Sequence, residues 1–143
     1  MKTSARNKYE GAIMNIRRGA VNDEIEILLD SSNTRVTATV TNTSSRAMNL
    51  EPGRKVVALI REESVILVTD SEGVRFSSRN VFQGAVVSIK ENGGLSDVNI
   101  RLAGGERMTA MAASEAVVSL GLKAGDELTA VVKAPSVIVG VRE

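Results

Sequence analysis

Ser4-Ala5-Arg6-Asn7-Lys8-Tyr9-Glu10-Gly11-Ala12 returns later in the chain as Ser77-Ser78-Arg79-Asn80-Val81-Phe82-Gln83-Gly84-Ala85, an offset of 77 − 4 = 73 residues. Ser, Arg, Asn, Gly and Ala keep their places, and Tyr9 is answered by Phe82. Outward from this segment, Ile16 matches Ile89, Ile27 matches Ile100 and Leu29 matches Leu102. The match then slips by one residue, so that Ala38 pairs with Ala110, Leu50 with Leu122, Gly53 with Gly125, and Ser64-Val65-Ile66 with Ser136-Val137-Ile138. The slip falls where Asp30 to Asn33 faces the shorter Ala103-Gly104-Gly105, as a difference in loop length does. Self-similarity over nearly the whole chain divides it into two tandem units, 1–70 and 74–143, joined by the short polar stretch Asp70-Ser71-Glu72-Gly73.

Each unit reads as five short strands and one short helix. In the first, residues 12–16, 24–29, 35–40, 56–60 and 65–68 alternate or run apolar between turn residues. In the second, residues 85–89, 98–102, 107–111, 128–132 and 137–141 repeat the series. Ser114 suits a helix N-cap, Glu115 its first turn and Gly121 its left-handed C-terminal position; the first-unit helix starts near Thr41 or Asn42 and ends before Asn49. The expected fold is all-β: two tandem OB-like five-stranded β-barrels, each with one short helix. Units of about 70 residues bury a limited share of their surface, so packing together or oligomerisation is expected.

Composition excludes several chemistries. With no His and no Cys, thiolate and imidazole metal ligation, Ser-His triads and disulfides are all impossible, and a reducing compartment fits. Eighteen Lys and Arg against 17 Asp and Glu leave a formal charge of +1, and Tyr9, Phe76 and Phe82 are the only aromatics, so a basic groove with stacking platforms for nucleic acid is not expected. The basic N-terminus is followed by no apolar run, and the longest such run, residues 56–60, is too short to span a bilayer; a soluble cytoplasmic protein without a membrane partner is expected. The adjacent acids Glu62 and Glu63 would point to opposite faces of a strand and cannot share a substrate, so no enzyme is expected.

What remains is a set of anion donors. Ser4-x-Arg6-Asn7 and Ser77-x-Arg79-Asn80 place a hydroxyl, a guanidinium and a carboxamide within four residues, although a strand start with an Asn turn would look the same. The triplet persists in the second copy where Lys8 has become Val81 and Glu10 has become Gln83. Lys133-Ala134-Pro135-Ser136 puts a cation and small residues at a strand end, where the first copy has Arg61-Glu62-Glu63-Ser64, whose carboxylates oppose an anion. Thr41-Asn42-Thr43-Ser44 clusters hydroxyls at a helix start, either as caps or as anion donors; its counterpart is Ala113-Ser114-Glu115-Ala116. Gly19-Ala20-Val21-Asn22 and Gly93-Gly94-Leu95-Ser96 are turns whose amides can serve a hairpin or cradle an anion.

Taken together, Ser4-Ala5-Arg6-Asn7 with Gly11, Ser77-Ser78-Arg79-Asn80 with Gly84, Gly19-Ala20-Val21-Asn22, and Leu120-Gly121-Leu122-Lys123-Ala124-Gly125 leading into Val132-Lys133-Ala134 resemble the molbindin family. The resemblance implies a pair of Mop (TOBE-like) domains that bind molybdate, with tungstate as a possible second ligand, for intracellular molybdenum storage and homeostasis. It implies a homotrimer with sites between modules at subunit interfaces. Carried over residue by residue, one class of site takes Ser4, Arg6, Asn7, Thr41, Ser44, Ser77, Arg79, Asn80, Lys133, Ala134 and Ser136. A second class uses the backbone of Ala20, Val21 and Asn22, and of Gly94, Leu95 and Ser96. Arg61-Glu62 in the first copy, and Ala113 with Ala116 in the second, depart from the family pattern. Two alternatives stand beside this reading: an OB-fold nucleic-acid module, and a molybdate-responsive sensor acting on a protein partner. The 143 residues contain no helix-turn-helix or ATPase segment to carry a signal, which favours storage.

Overall fold

The computed structural model describes residues 1–142. In chain order the strands are β1 (Asn7–Arg17), β2 (Asn22–Leu29), β3 (Arg35–Thr41), β4 (Lys55–Ile60), β5 (Ile66–Val68), β6 (Asn80–Asn92), β7 (Leu95–Leu102), β8 (Arg107–Ala113), β9 (Glu127–Val132) and β10 (Val137–Gly140). Helix α1 (Asn42–Ala47) follows β3 and α2 (Ser114–Ser119) follows β8; 3-10 turns at Glu62–Ser64 and Ala134–Ser136 precede β5 and β10.

Period-two alternation builds the interior. Along β2, Asp23, Ile25, Ile27 and Leu29 point inward and the residues between them are half-buried; β7 repeats this with Ser96, Val98, Ile100 and Leu102. Ile27 and Ile100 have no exposed surface, and each such side chain contributes about 1.5–3 kcal/mol of transfer free energy. The long strands β1 and β6 carry a bulge at matching places, between Ile13 and Asn15 and between Val86 and Ser88, which bends them around the core.

The helices depart from expectation in one detail. Thr41 caps α1 through its hydroxyl, but α2 is preceded by Ala113 without a side-chain cap, and Ser114 is already helical. The Ser114 hydroxyl is paired with that of Ser96 at 2.8 Å, so it is drawn towards β7 and away from the helix amides. Gly121 (φ 67°) takes the left-handed position, matched in the first copy by Asn49 (φ 52°).

The sheets do not follow the sequence repeat. One runs β10-β4-β1-β2-β3 and the other β5-β9-β6-β7-β8, so each contains four strands of one copy and the fifth of the other. β10 adds antiparallel to β4 with Val137 opposite Ile60, and β5 adds to β9 with Ile66 opposite Val131. The two sequence copies thus exchange their last strands, each passing through its 3-10 turn on the way. In doing so the Glu62–Ser64 turn packs against β8, and the Ala134–Ser136 turn against β3.

Candidate functional site

The exchange brings the start of β1 and β6 and the two 3-10 turns onto the opposite unit. Asn7 and Asn80 anchor the arrangement. Asn80 accepts the Thr37 N–H on Oδ1 at 2.8 Å and donates from Nδ2 to the Thr37 carbonyl at 2.7 Å. Asn7 does the same with Thr109, both bonds at 2.8 Å. Both carboxamides are buried, and each uses its oxygen and one of its two Nδ2 hydrogens on the facing backbone, which fixes the strand start.

Next to Asn80 lies an open cavity of about 300 Å³, lined by Ser77, Ser78, Arg79, Lys133, Ala134 and Pro135 of the second copy and by Glu24, Thr37 and Thr39 of the first. Arg79 pairs with Glu24 at 2.6 Å, while Lys133 forms no salt bridge among the described residues. Ser78 is occupied, donating to the Val132 carbonyl at 2.6 Å and accepting the Asn80 N–H at 3.1 Å; Ser77 is exposed beside it. Two cations, one carboxylate and several hydroxyls leave this groove with one net positive charge, suited to a small oxyanion.

The first copy builds the corresponding groove with different contents. Arg6 pairs with Asp97 at 2.6 Å and with Glu62 at 3.3 Å. The hydrogen bond and charge of Asp97, with the charge of Glu62, outweigh burial and raise the Arg6 pKa above its ordinary value. Met111 stands where Thr39 stands in the other groove, by register against Asp97 and Glu24 respectively.

The structure therefore brings together Ser77, Arg79, Lys133 and Ala134, and sets Arg6 and its neighbours in the paired groove. Thr41 and Ser44 do not line the cavity: Ser44 donates its N–H to the Thr41 hydroxyl at 3.2 Å, the capping role. Ser136 lies outside the cavity lining too, its amide bonded to the Lys133 carbonyl. Ala20, Val21 and Asn22 are exposed, with the Val21 carbonyl accepting the Asn42 N–H at 2.9 Å. Gly93 and Gly94 (φ 62° and 91°) form a two-residue hairpin turn closing Asn92 against Leu95, and the Gly94 carbonyl accepts the Ser114 N–H. Glu24, Thr37 and Thr39 were not anticipated; the alternation Arg35-x-Thr37-x-Thr39-x-Thr41, polar on one strand face, was the signal for the threonines.

A larger cavity of about 480 Å³ lies at Arg18, Asp23 and Asn42 in the first copy. Its central pair is satisfied: the Asp23 carboxylate, 1% exposed, accepts from Arg18 at 2.8 Å, Asn42 Nδ2 at 2.6 Å and the Gly19 N–H at 3.3 Å. The smaller groove at Arg79 and Lys133 is the better anion candidate, because its charged lining sums to one positive charge, whereas Arg18 and Arg46 against Asp23 and Glu51 leave the larger cavity neutral.

Comparison with known proteins accords with this geometry. The profile of the TOBE domain matches residues 3–67 and again 77–139. The molybdenum transport protein ModE of Herbaspirillum seropedicae is 37% identical over 143 residues, all of this chain and 53% of that protein. The molybdenum-pterin-binding protein MopA of Rhodobacter capsulatus is 31% identical over 141 residues, 99% of this chain and 53% of its own length. The chain thus spans about half the length of the curated relatives it matches. Among solved structures, that of the cytoplasmic molybdate-binding protein ModG with molybdate bound superposes with a TM-score of 0.94 at 42% identity, covering 99% of this chain and 100% of that one. With two matched copies and a full-length structural likeness, the chain belongs to the TOBE domain family as a tandem member, in keeping with its resemblance to the molbindins.

Proposed function

We propose that this protein binds molybdate, and tungstate by the same tetrahedral-dianion chemistry, without transforming it, and serves in the cytoplasm to store or buffer the anion. The observation that carries the reading is the groove at Ser77, Arg79, Lys133 and Ala134, in a chain similar throughout to ModG, which was solved with molybdate bound. Four oxygens of a dianion match hydroxyl, guanidinium and ammonium donors, with no need for a direct bond from protein to metal.

Assembly as a homotrimer is part of the proposal. It is supported by large apolar side chains left in solvent, Val21 at 71% exposed and Val118 at 74%, with Ile66 and Ile138 on the exchanged edge strands. Titration calorimetry of the parent and Arg79→Ala with sodium molybdate tests the binding site. Loss of a charge-assisted donor is expected to weaken binding by about 1.5–3 kcal/mol. Unchanged affinity in a folded Arg79→Ala protein contradicts the assignment, and a monomer at micromolar concentration in ultracentrifugation contradicts the trimer.

A second reading, that the tandem domain is the molybdate-responsive part of a regulator, is favoured by the match to about half the length of ModE relatives, one of them the transcriptional regulator of Yersinia pestis.

A further inference from the structure

The two grooves differ most at one position. In the first-copy groove, one Glu62 carboxylate oxygen lies 3.3 Å from Arg6 Nε and the other accepts the Arg6 backbone N–H at 3.4 Å, with the side chain only 13% exposed. Arg61, which stands in the place of Lys133, is turned onto Glu63 at 2.8 Å. In the second-copy groove, Arg79 is held by Glu24 as Arg6 is held by Asp97, each at 2.6 Å. Ala134 and Pro135 replace Glu62 and Glu63, and Glu24 is the one ion-pair partner of Arg79 among the described residues.

We propose that the Glu62 carboxylate occupies, in the first-copy groove, the place an oxyanion takes in the second. The first groove is closed by an internal ligand, and the second receives its anion on Arg79 Nε and the Arg79 backbone N–H, beside Ala134. This rests on the reading of the grooves as oxyanion sites. A carboxylate with one oxygen on a guanidinium and the other on a backbone amide makes the charge-assisted contacts that a free oxyanion would make. Attachment to the chain gives it an effective concentration of mM order, well above that of a scarce solute. Charge adds to the effect: Arg6 and Arg61 face Asp97, Glu62 and Glu63, whereas Arg79 and Lys133 face Glu24 alone. A dianion is repelled by the first set and drawn to the second.

The test counts molybdate by native mass spectrometry and calorimetry on the full chain, comparing the parent, Glu62→Ala, Glu62→Gln and the Glu62→Ala/Arg6→Ala double variant, with folding checked by circular dichroism. Glu62→Ala is expected to add one molybdate per chain, bound within about tenfold of the tight site of the parent. Adding Arg6→Ala is expected to remove it again. Glu62→Gln, which keeps the side-chain volume and drops the charge, is expected to add the same site more weakly, and it decides the matter if the alanine variant does not fold. Unchanged stoichiometry in both Glu62 variants overturns the inference while leaving the second groove standing. Absence of molybdate from the parent overturns the oxyanion reading of both grooves, and this inference with it.

Discussion

Asn80 and Thr37 lie 43 positions apart in sequence and share two hydrogen bonds, in which the carboxamide of one stands in for a neighbouring strand's backbone against the other. Asn7 and Thr109 repeat the relationship across the pseudo-symmetric interface. Asn80→Ala therefore leaves a buried N–H and a buried carbonyl without partners. Each costs about 1–3 kcal/mol, so urea denaturation of Asn80→Ala is expected to show a loss of roughly 2–6 kcal/mol. A loss below about 0.5 kcal/mol would mean that water replaces the carboxamide.

Gly84 sits where β6 passes close over β7. A Cβ there would meet Ile100 Cγ2 at 2.7 Å and the Arg101 carbonyl oxygen at 2.9 Å, and the backbone atom cannot swing aside. Gly84→Ala is expected to destabilise by about 1–3 kcal/mol, the usual cost of overpacking, with anion affinity retained in the protein that folds. Equal melting temperatures of parent and variant would show that the sheet yields freely.

Asp23 supplies a pH dependence. Burial by itself raises its pKa, but hydrogen bonds from Arg18, Ser45, the Gly19 amide and Asn42 outweigh burial and hold it below the ordinary aspartate value. A carboxyl depressed in the folded state is protonated first in the unfolded chain, so stability is full above the ordinary value and falls as pH drops through the depressed one. Glu106 acts in the same direction: burial raises its pKa, while hydroxyls of Ser32, Thr34 and Ser31 and its own amide lower it further. Asp23→Ser, which copies Ser96 of the second unit, is expected to flatten part of the acid limb in a pH series of denaturation midpoints. An acid limb identical to that of the parent would remove Asp23 from the account.

The barrels were legible because their causes are local. Alternation in Glu24-Ile25-Glu26-Ile27-Leu28-Leu29, glycines at turn positions and the repeat itself fix strands and their order. Ser77 with Arg79, and Lys133 with Ala134, were each legible from residue type and strand position, but only the resemblance to the molbindins implied that they meet; in the structure all four line one cavity. The exchange of β5 and β10 was not. A strand that leaves its own unit carries the same apolar pattern as one that stays, and the choice of partner edge depends on how the 3-10 turn directs the chain. For the same reason the backbone contacts of Asn7 and Asn80 were not legible: nothing local to a carboxamide beside an arginine points to a strand 102 or 43 residues away.

Strand exchange also sets a timetable for synthesis. β4 is complete at Ile60, but the neighbour that covers its open edge, β10, begins at Val137. While the ribosome makes the intervening residues, at about 5–20 per second, the nascent first sheet presents a row of unpaired amides and carbonyls for several seconds. The second unit, by contrast, finds β5 already waiting when β9 emerges. The chain is thus most exposed to mispairing with a neighbouring copy midway through translation, and the last strand to appear is the one that ends the hazard.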